Sequence, residues 1–288
     1  MLGDRFNRSW QVAKESFLVL RNNPSLSVFP ILSGIAAILV SIPFILILAF
    51  SDFKHASHQG TFGTVHYVAS AAMYFCNYFA IIFFNSALVA CANENLQGRP
   101  TSLSFGLHAA ARRLPQILGW TLIASTVGLI LRTIGERTGV AGAIVTSIIG
   151  LAWNIAVFFV VPCMVLDLES PFSAVKKSTG MLKQTWGERI ILGVGVGSAL
   201  GILYLFAFIP FLVAIFCAVN EVYVLAIIFG IAGVLSLLAV SIIASAITTI
   251  YQTALYIYCR TGSAPTAFNP ESFQNAFKPK PASGLFGR

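Results

Sequence analysis

Three asparagines, Asn77, Asn85 and Asn154, lie inside long apolar segments of this 288-residue chain. A polar side chain within hydrocarbon is a candidate functional residue, because it can contact a solute that crosses the membrane. The alternative is that each amide joins two neighbouring helices, a contact that stabilises membrane proteins by only about 0.6 kcal/mol on average. The sequence favours the packing role and leaves both interpretations open.

A second set of chemically capable residues lies in the polar segment after the first apolar one. Its members are Asp52, His55, His58 and His66. Carboxylate and imidazole groups bind transition metals, but this set lacks the fixed spacing of a metal motif. We therefore expect a solvated loop without a metal. The five cysteines lie in or beside apolar segments and have no paired spacing, which indicates packing residues.

Motifs of common enzymes are missing from the sequence. It contains no G-x-S-x-G, no H-E-x-x-H and no pair of acids within an apolar segment. Asp167 and Glu169 close the fourth apolar segment, where acids that precede a capping serine have a structural role. We therefore expect no enzymatic activity and no cofactor.

The elements that position these residues are membrane spans. Hydrophobic residues make up 57% of the chain and charged residues 10%, against about 45–50% and 25% in soluble domains. A span needs about 20 apolar residues. Six segments meet this requirement: 26–50, 65–92, 116–134, 140–166, 190–219 and 222–250.

The positive charges are distributed unevenly between the two sides of these spans. Only Lys54, Arg132 and Arg137, of 18 lysines and arginines, follow the first, third or fifth segment. The other 15 (18 minus 3) lie on the opposite side, which predicts an inner-membrane protein with both termini in the cytoplasm. The expected partners are anionic lipid headgroups on the cytoplasmic side, not nucleic acid.

An amphipathic helix is predicted before the fifth span. Val175, Thr179, Leu182 and Trp186 follow one another at spacings of 4, 3 and 4, which places them on one helix face. Ser170 and Pro171 supply a start signal. Three lysines beside this face are expected to reach lipid headgroups: Lys176, Lys177 and Lys183. The pattern is typical of a helix that lies on the membrane surface.

The same spacing recurs before the first span, from Phe6 to Phe17, and before the third, from Leu103 to Leu114. Arg112 and Arg113 are the expected headgroup contacts of the latter helix. We therefore predict an all-α polytopic membrane protein with six transmembrane helices and three cytoplasmic interfacial helices. One interfacial helix and one hairpin would form each unit of a threefold parallel repeat.

The predicted domain organisation follows from this repeat. Residues 1–262 would form a single membrane domain with units at about 1–95, 96–168 and 169–262, and residues 263–288 a flexible cytoplasmic tail.

Glycines at four-residue spacing begin the fifth span. Gly193, Gly197 and Gly201 lie on one helix face, without the preceding strand and G-x-G-x-x-G spacing of a dinucleotide site. Such a face permits close helix packing. The partner is either a helix of the same chain, which we favour, or a second copy in a homo-oligomer.

Four segments resemble a known family. They are RNNPSLSVFPILSGI (21–35), NYFAIIFFNSALVACANENLQGRP (77–100), RRLPQILGWTLIASTVGLILRTIGER (112–137) and VVPCMVLDLESPFSAVKKS (160–178). They are similar to six-span prokaryotic membrane proteins classed as a domain of unknown function. The resemblance covers nearly the whole chain and implies no catalytic residue, substrate or cofactor.

Two classes of function fit these observations. A small permease or channel would explain prolines and asparagines within spans. A membrane-organising or accessory protein, binding lipid or other membrane proteins, would explain the interfacial helices and the lack of buried acids for coupling to an ion gradient.

Overall fold

The computed structural model describes residues 14–55, 64–186 and 196–268. Within these ranges the secondary structure is helical, with no strand. Three residues discussed above lie outside them: Phe6, His58 and Gly193. The side chains of Asp52, His55 and Trp186 are likewise outside the description.

The helices follow one another with short connections. Residues 14–22 form α1 and Pro24–Ser27 a 3-10 turn. Then come α2 (Val28–His55), α3 (Thr64–Leu96), α4 (Leu103–Ala111), α5 (Leu114–Arg137) and α6 (Gly139–Ala156). The chain continues through α7 (Val160–Leu166), α8 (Pro171–Trp186), α9 (Val196–Val219) and α10 (Tyr223–Thr261).

The prediction of six membrane spans is confirmed. Within the described residues, six helical segments are long and apolar enough to cross a membrane: Pro24–Phe50, Thr64–Leu96, Leu114–Arg137, Gly142–Leu166, Leu200–Val219 and Tyr223–Thr261. The last helix has 39 residues and exceeds the length that one crossing requires. The chain is therefore a multi-pass membrane protein.

Helices α4 and α8 are present at two of the positions where an amphipathic helix was expected; of the one expected before the first span, α1 covers only the end, because residues 6–13 lie outside the described chain. The expected start of α8 is also observed, because the Ser173 N–H donates to Ser170 Oγ at 3.4 Å and the helix begins at Pro171. Whether these helices lie on the membrane surface stays a prediction.

The buried face of α8 differs from the expected one. Ala174, Ser178 and Leu182, four residues apart, are buried in the protein, whereas Thr179 is exposed. Ser178 Oγ accepts a hydrogen bond from the Phe159 N–H at 3.0 Å. The apolar positions therefore pack against the chain, and the 4-3-4 spacing could not distinguish that contact from lipid.

The fourth span is interrupted between α6 and α7. Pro162 lacks the N–H that would bond to Phe158 O, and its ring crowds that carbonyl in a continuous helix. The helix ends at Ala156 and resumes at Val160, and the Ser178 hydroxyl caps the turn. From the sequence, Pro162 could either break or kink this span, and a kink was the favoured expectation, because apolar content alone does not reveal a break.

The chain divides into two compact units. One contains 24–92 and 101–188, and its most buried side chains include Phe29, Leu88, Phe159 and Met164. Here α4 lies close to its neighbours, because a Cβ added at Gly106 would meet Phe29 Cζ at 2.6 Å and Cys91 Sγ at 2.7 Å.

The other unit contains 1–23, 93–100 and 189–288, including the α9–α10 pair. Ser236 Oγ donates to Ala207 O at 2.7 Å across this pair. After Gly262 ends α10 in the left-handed conformation, Thr266 Oγ1 donates to Leu96 O at 2.8 Å. The first residues of the predicted tail are thus packed, and 269–288 lie outside the described chain.

Candidate functional site

Asn77 joins α2 to α3 within the two spans. Its Nδ2 donates to Ser41 Oγ at 3.0 Å and to Met73 O at 2.9 Å, and Ser41 Oγ lies 3.4 Å from Asn77 Oδ1. The amide therefore has hydrogen-bond partners inside the protein. This geometry corresponds to the packing role of an intramembrane asparagine.

The other two asparagines occupy different environments. Asn85 is half-buried on α3, and Asn154 is exposed on α6. Beside Asn154, Trp153 stacks on Trp120 of α5 with ring centroids 6.0 Å apart. The structure thus does not bring the three asparagines to one polar cavity.

A groove between α2 and α3, which we call the α2–α3 groove, has a volume of about 470 Å³. Its apolar walls include Ala36, Val40 and Pro43 of α2 and Cys76, Ala80 and Phe84 of α3. Phe79 and Phe83, also in the wall, have their rings tilted by 33° with centroids 6.0 Å apart. The groove lies beside the Ser41–Asn77 contact, so a guest there would be in an apolar environment.

A charged cluster joins α7 to α8. Lys177 Nζ lies 2.6 Å from Asp167 Oδ2 and 3.1 Å from Glu169 Oε1. Ser173 Oγ also donates to Glu169. Leu168, between the two acids, has a left-handed φ of 63°, which is rare for a bulky residue. This backbone conformation turns the chain where both carboxylates meet one ammonium group.

The pKa values of this cluster follow from these contacts. The hydrogen bond to Asp167 raises the pKa of Lys177, with a further contribution from Glu169. The hydrogen bond from Ser173, followed by that from Lys177, lowers the pKa of Glu169. Glu169 and Lys177 are therefore in their charged forms at neutral pH, and the cluster is a structural link.

The lysines and arginines predicted to contact headgroups differ in their exposure and in their ion pairing within the protein. Lys176, Lys183 and Arg112 are exposed, and Arg113 is half-buried. Lys177 already binds two carboxylates. Sequence reasoning missed this pairing because the acids precede Lys177 by eight and ten residues across a turn, outside the helical i, i+4 pattern.

The glycine face of α9 is open where it is described. A Cβ added at Gly201 would meet no atom within 4 Å, and only the helical backbone is described at Gly197. Close packing instead occurs at Gly233 of α10, where an added Cβ would lie 2.8 Å from the Phe211 ring. Gly233 follows Gly230 by three residues and has no glycine four residues away, so no four-residue spacing drew attention to it.

An ion pair lies at the end of the third span. Arg132 Nε lies 2.7 Å from Glu136 Oε1 on α5, one helical turn away. No group of three or more potential metal ligands occurs in the part of the chain described.

Comparison with known proteins yields a family without an assigned activity. No curated protein matches the chain. A match to a family of unknown function, DUF6159, covers residues 64–266, which is more than half of the chain. This range includes the second to sixth spans, the charged cluster and the α3 wall of the groove. The chain belongs to this family of unknown function, DUF6159.

Proposed function

We propose that this multi-pass membrane protein is a non-enzymatic accessory protein that binds lipid and conducts no solute. The observation that carries the proposal is the pairing of Asn77 with Ser41 and Met73 O beside an apolar groove. A path for ions or polar solutes needs polar groups directed at the solute. Here the amide bonds to protein, and the adjacent space suits hydrocarbon.

The available positive charges support anionic lipid as the partner. Lys176 and Lys183 on α8 and Arg112 after α4 are exposed, and each such residue near an anionic surface contributes about 1 kcal/mol of attraction. The distribution of lysine and arginine supports an inner-membrane location with both termini in the cytoplasm. Anionic headgroups of that leaflet would then meet these residues.

The rival function is a small permease or channel. The exposure of Asn154 on α6 favours it, because a polar side chain within a span usually faces a cavity or a partner. A pore formed between copies of the chain would use such a position. This rival predicts a solute flux that depends on Asn154.

Flux and lipid binding measured on one preparation test the proposal. Protein in phosphatidylglycerol and phosphatidylcholine liposomes should show no flux of small ions or metabolites above that of empty liposomes. Native mass spectrometry should show preferential retention of phosphatidylglycerol. Flux that changes in Asn77→Leu or Asn154→Leu would establish the permease function instead, and equal retention of both lipids would contradict the accessory role.

A further inference from the structure

The α2–α3 groove is elongated along the two helices. Its wall extends from Ala36 to Phe44 on α2 and from Cys76 to Phe84 on α3. Eight residues at 1.5 Å per residue correspond to about 12 Å on each helix. A groove of this length and of about 470 Å³ fits part of an extended hydrocarbon chain better than a compact polar solute.

Both walls of the groove belong to membrane spans, and the groove continues into their lipid-facing surface. Ile35, Ile38 and Leu39, beside the wall residue Ala36, are 49%, 65% and 61% exposed. Water in an apolar space lacks hydrogen-bond partners, so such a space stays dry. The molecules that have access to the groove within a bilayer are lipid acyl chains.

Beyond the Ala36 end of the groove, the α4 helix packs against the α2–α3 pair. Phe29 of α2 and Cys91 of α3 both lie against Gly106 of α4. Phe29 precedes the wall residue Ala36 by seven residues, or about 10 Å of helix. The α4 helix ends just before Arg112, which is exposed, and Arg113. A lipid whose chain follows the groove towards α4 would bring its headgroup near these arginines.

We infer that the α2–α3 groove holds one acyl chain of an anionic phospholipid whose headgroup binds Arg112 and Arg113. The occupant follows from the apolar walls and the charge at the α4 end. This inference rests on the proposed lipid-binding function and names the lipid class and its site. It assigns a specific ligand, the anionic headgroup, to Arg112 and Arg113.

Photo-crosslinking with a phosphatidylglycerol that carries a diazirine on one acyl chain tests the inference. The full-length protein is used in nanodiscs of phosphatidylglycerol and phosphatidylcholine, and labelled peptides are identified by mass spectrometry. We expect labels on the groove residues of α2 and α3. Ala36→Trp, which fills the groove, should reduce this labelling several-fold, whereas Ile38→Trp on the exposed face of α2 should not.

The arginines are tested by competition with unlabelled lipid. Phosphatidylglycerol should displace the probe better than phosphatidylcholine, and each of Arg112→Gln and Arg113→Gln should reduce that preference about fivefold. Ala36→Leu is a smaller filling residue that serves if Ala36→Trp lowers the melting temperature. Loss of labelling in either filled variant, with its melting temperature unchanged, supports the groove.

The outcomes separate this inference from the proposed function. Labelling that is equal in wild type, Ala36→Trp and Ala36→Leu would overturn the groove site. Equal displacement by the two lipids would overturn the anionic headgroup site. If the protein still prefers phosphatidylglycerol but the groove is not labelled, the accessory function is retained, with α8 as the lipid-binding element. Solute flux together with no lipid preference would contradict both the groove site and the accessory function.

Discussion

The α2–α3 and α9–α10 pairs are both formed from membrane spans, but they pack in different ways. In α9–α10, Gly233 lies against the Phe211 ring and Ser236 reaches a backbone carbonyl, so the helix backbones come close. In α2–α3, phenylalanines of both helices line the groove, and Asn77 hydrogen-bonds to Ser41 across the pair. Small residues close an interface, whereas rings and a side-chain contact leave a groove.

This contrast separates stability from binding. A close contact between backbones gains dispersion energy along its length, which is a main source of helix association in lipid. A groove forfeits those contacts unless a guest restores them. We therefore expect substitutions of the small residues to be the most destabilising ones in the α9–α10 pair. We expect the packing of the α2–α3 pair to depend on bound lipid.

The largest expected effect is at Gly233. Gly233→Val would place its Cβ 2.8 Å from the Phe211 ring and should destabilise the protein by about 1–3 kcal/mol through overpacking. Gly230→Val on the same helix is the matched control, because a Cβ there meets nothing within 4 Å. Thermal unfolding in detergent measures both. Equal melting temperatures for the two variants would show that the interface is not closely packed.

A charged contact is the next test, because at the α7–α8 junction Lys177 pairs with two carboxylates. Lys177→Met leaves Asp167, whose side chain is 12% exposed, without its ammonium partner, and should cost about 1–2 kcal/mol. Lys176→Met, on the exposed side of α8, should change the unfolding free energy by less than about 0.5 kcal/mol. A similar loss in both variants would contradict the assigned pairing.

The contribution of this cluster should depend on pH in a direction fixed by the pKa shifts. The lowered pKa of Glu169 gives stability that is present above the ordinary glutamate pKa of about 4.3 and is lost as pH falls through the folded value. The raised pKa of Lys177 gives stability that is lost only as pH rises past about 10.4.

The melting-temperature difference between wild type and Lys177→Met should therefore be largest between about pH 5 and pH 10 and shrink towards pH 3. Thermal unfolding across this range checks it. A difference that stays constant down to pH 3 would mean that Lys177 stabilises the junction through packing rather than charge.

The smallest expected effect concerns the polar contact beside the groove. A double-mutant cycle of Asn77→Leu and Ser41→Ala should give a coupling of about 0.6 kcal/mol and at most about 1.7 kcal/mol. Asn154→Leu replaces an exposed amide and should show no coupling to Ser41→Ala. Zero coupling between Asn77 and Ser41 would remove the contact that defines the α2–α3 pair.

Much of the fold could be predicted from the sequence because hydrocarbon imposes a simple length and composition rule on each span. That rule predicted all six, and the 4-3-4 spacing located α4 and α8. The length and composition rule could not reveal the break after Ala156, which depends on Pro162 and on the Ser178 hydroxyl of α8. Nor could it show whether Leu182 faces protein or lipid.

The candidate site was less predictable because it depends on contacts between distant segments. Asn77 stood out as a polar residue in a span, but its partner Ser41 is 36 residues away. Lys177 was expected to bind headgroups because its positive charge can be read from the sequence. Its pairing with Asp167 depends on the left-handed conformation of Leu168, which the sequence does not reveal. The groove arises from the separation of two helices, which no single segment encodes.

The central claim is that the α2–α3 groove contains hydrocarbon, and a density map of the protein in lipid tests it most directly. Electron cryomicroscopy of the protein in phosphatidylglycerol nanodiscs, with a bound antibody fragment as a size marker, would resolve this region. We predict elongated density along Ala36, Val40 and Ala80, ending near Arg112, and none between Gly233 and Phe211. A closed α2–α3 interface, or a hydrated polar path through the protein, would contradict the account.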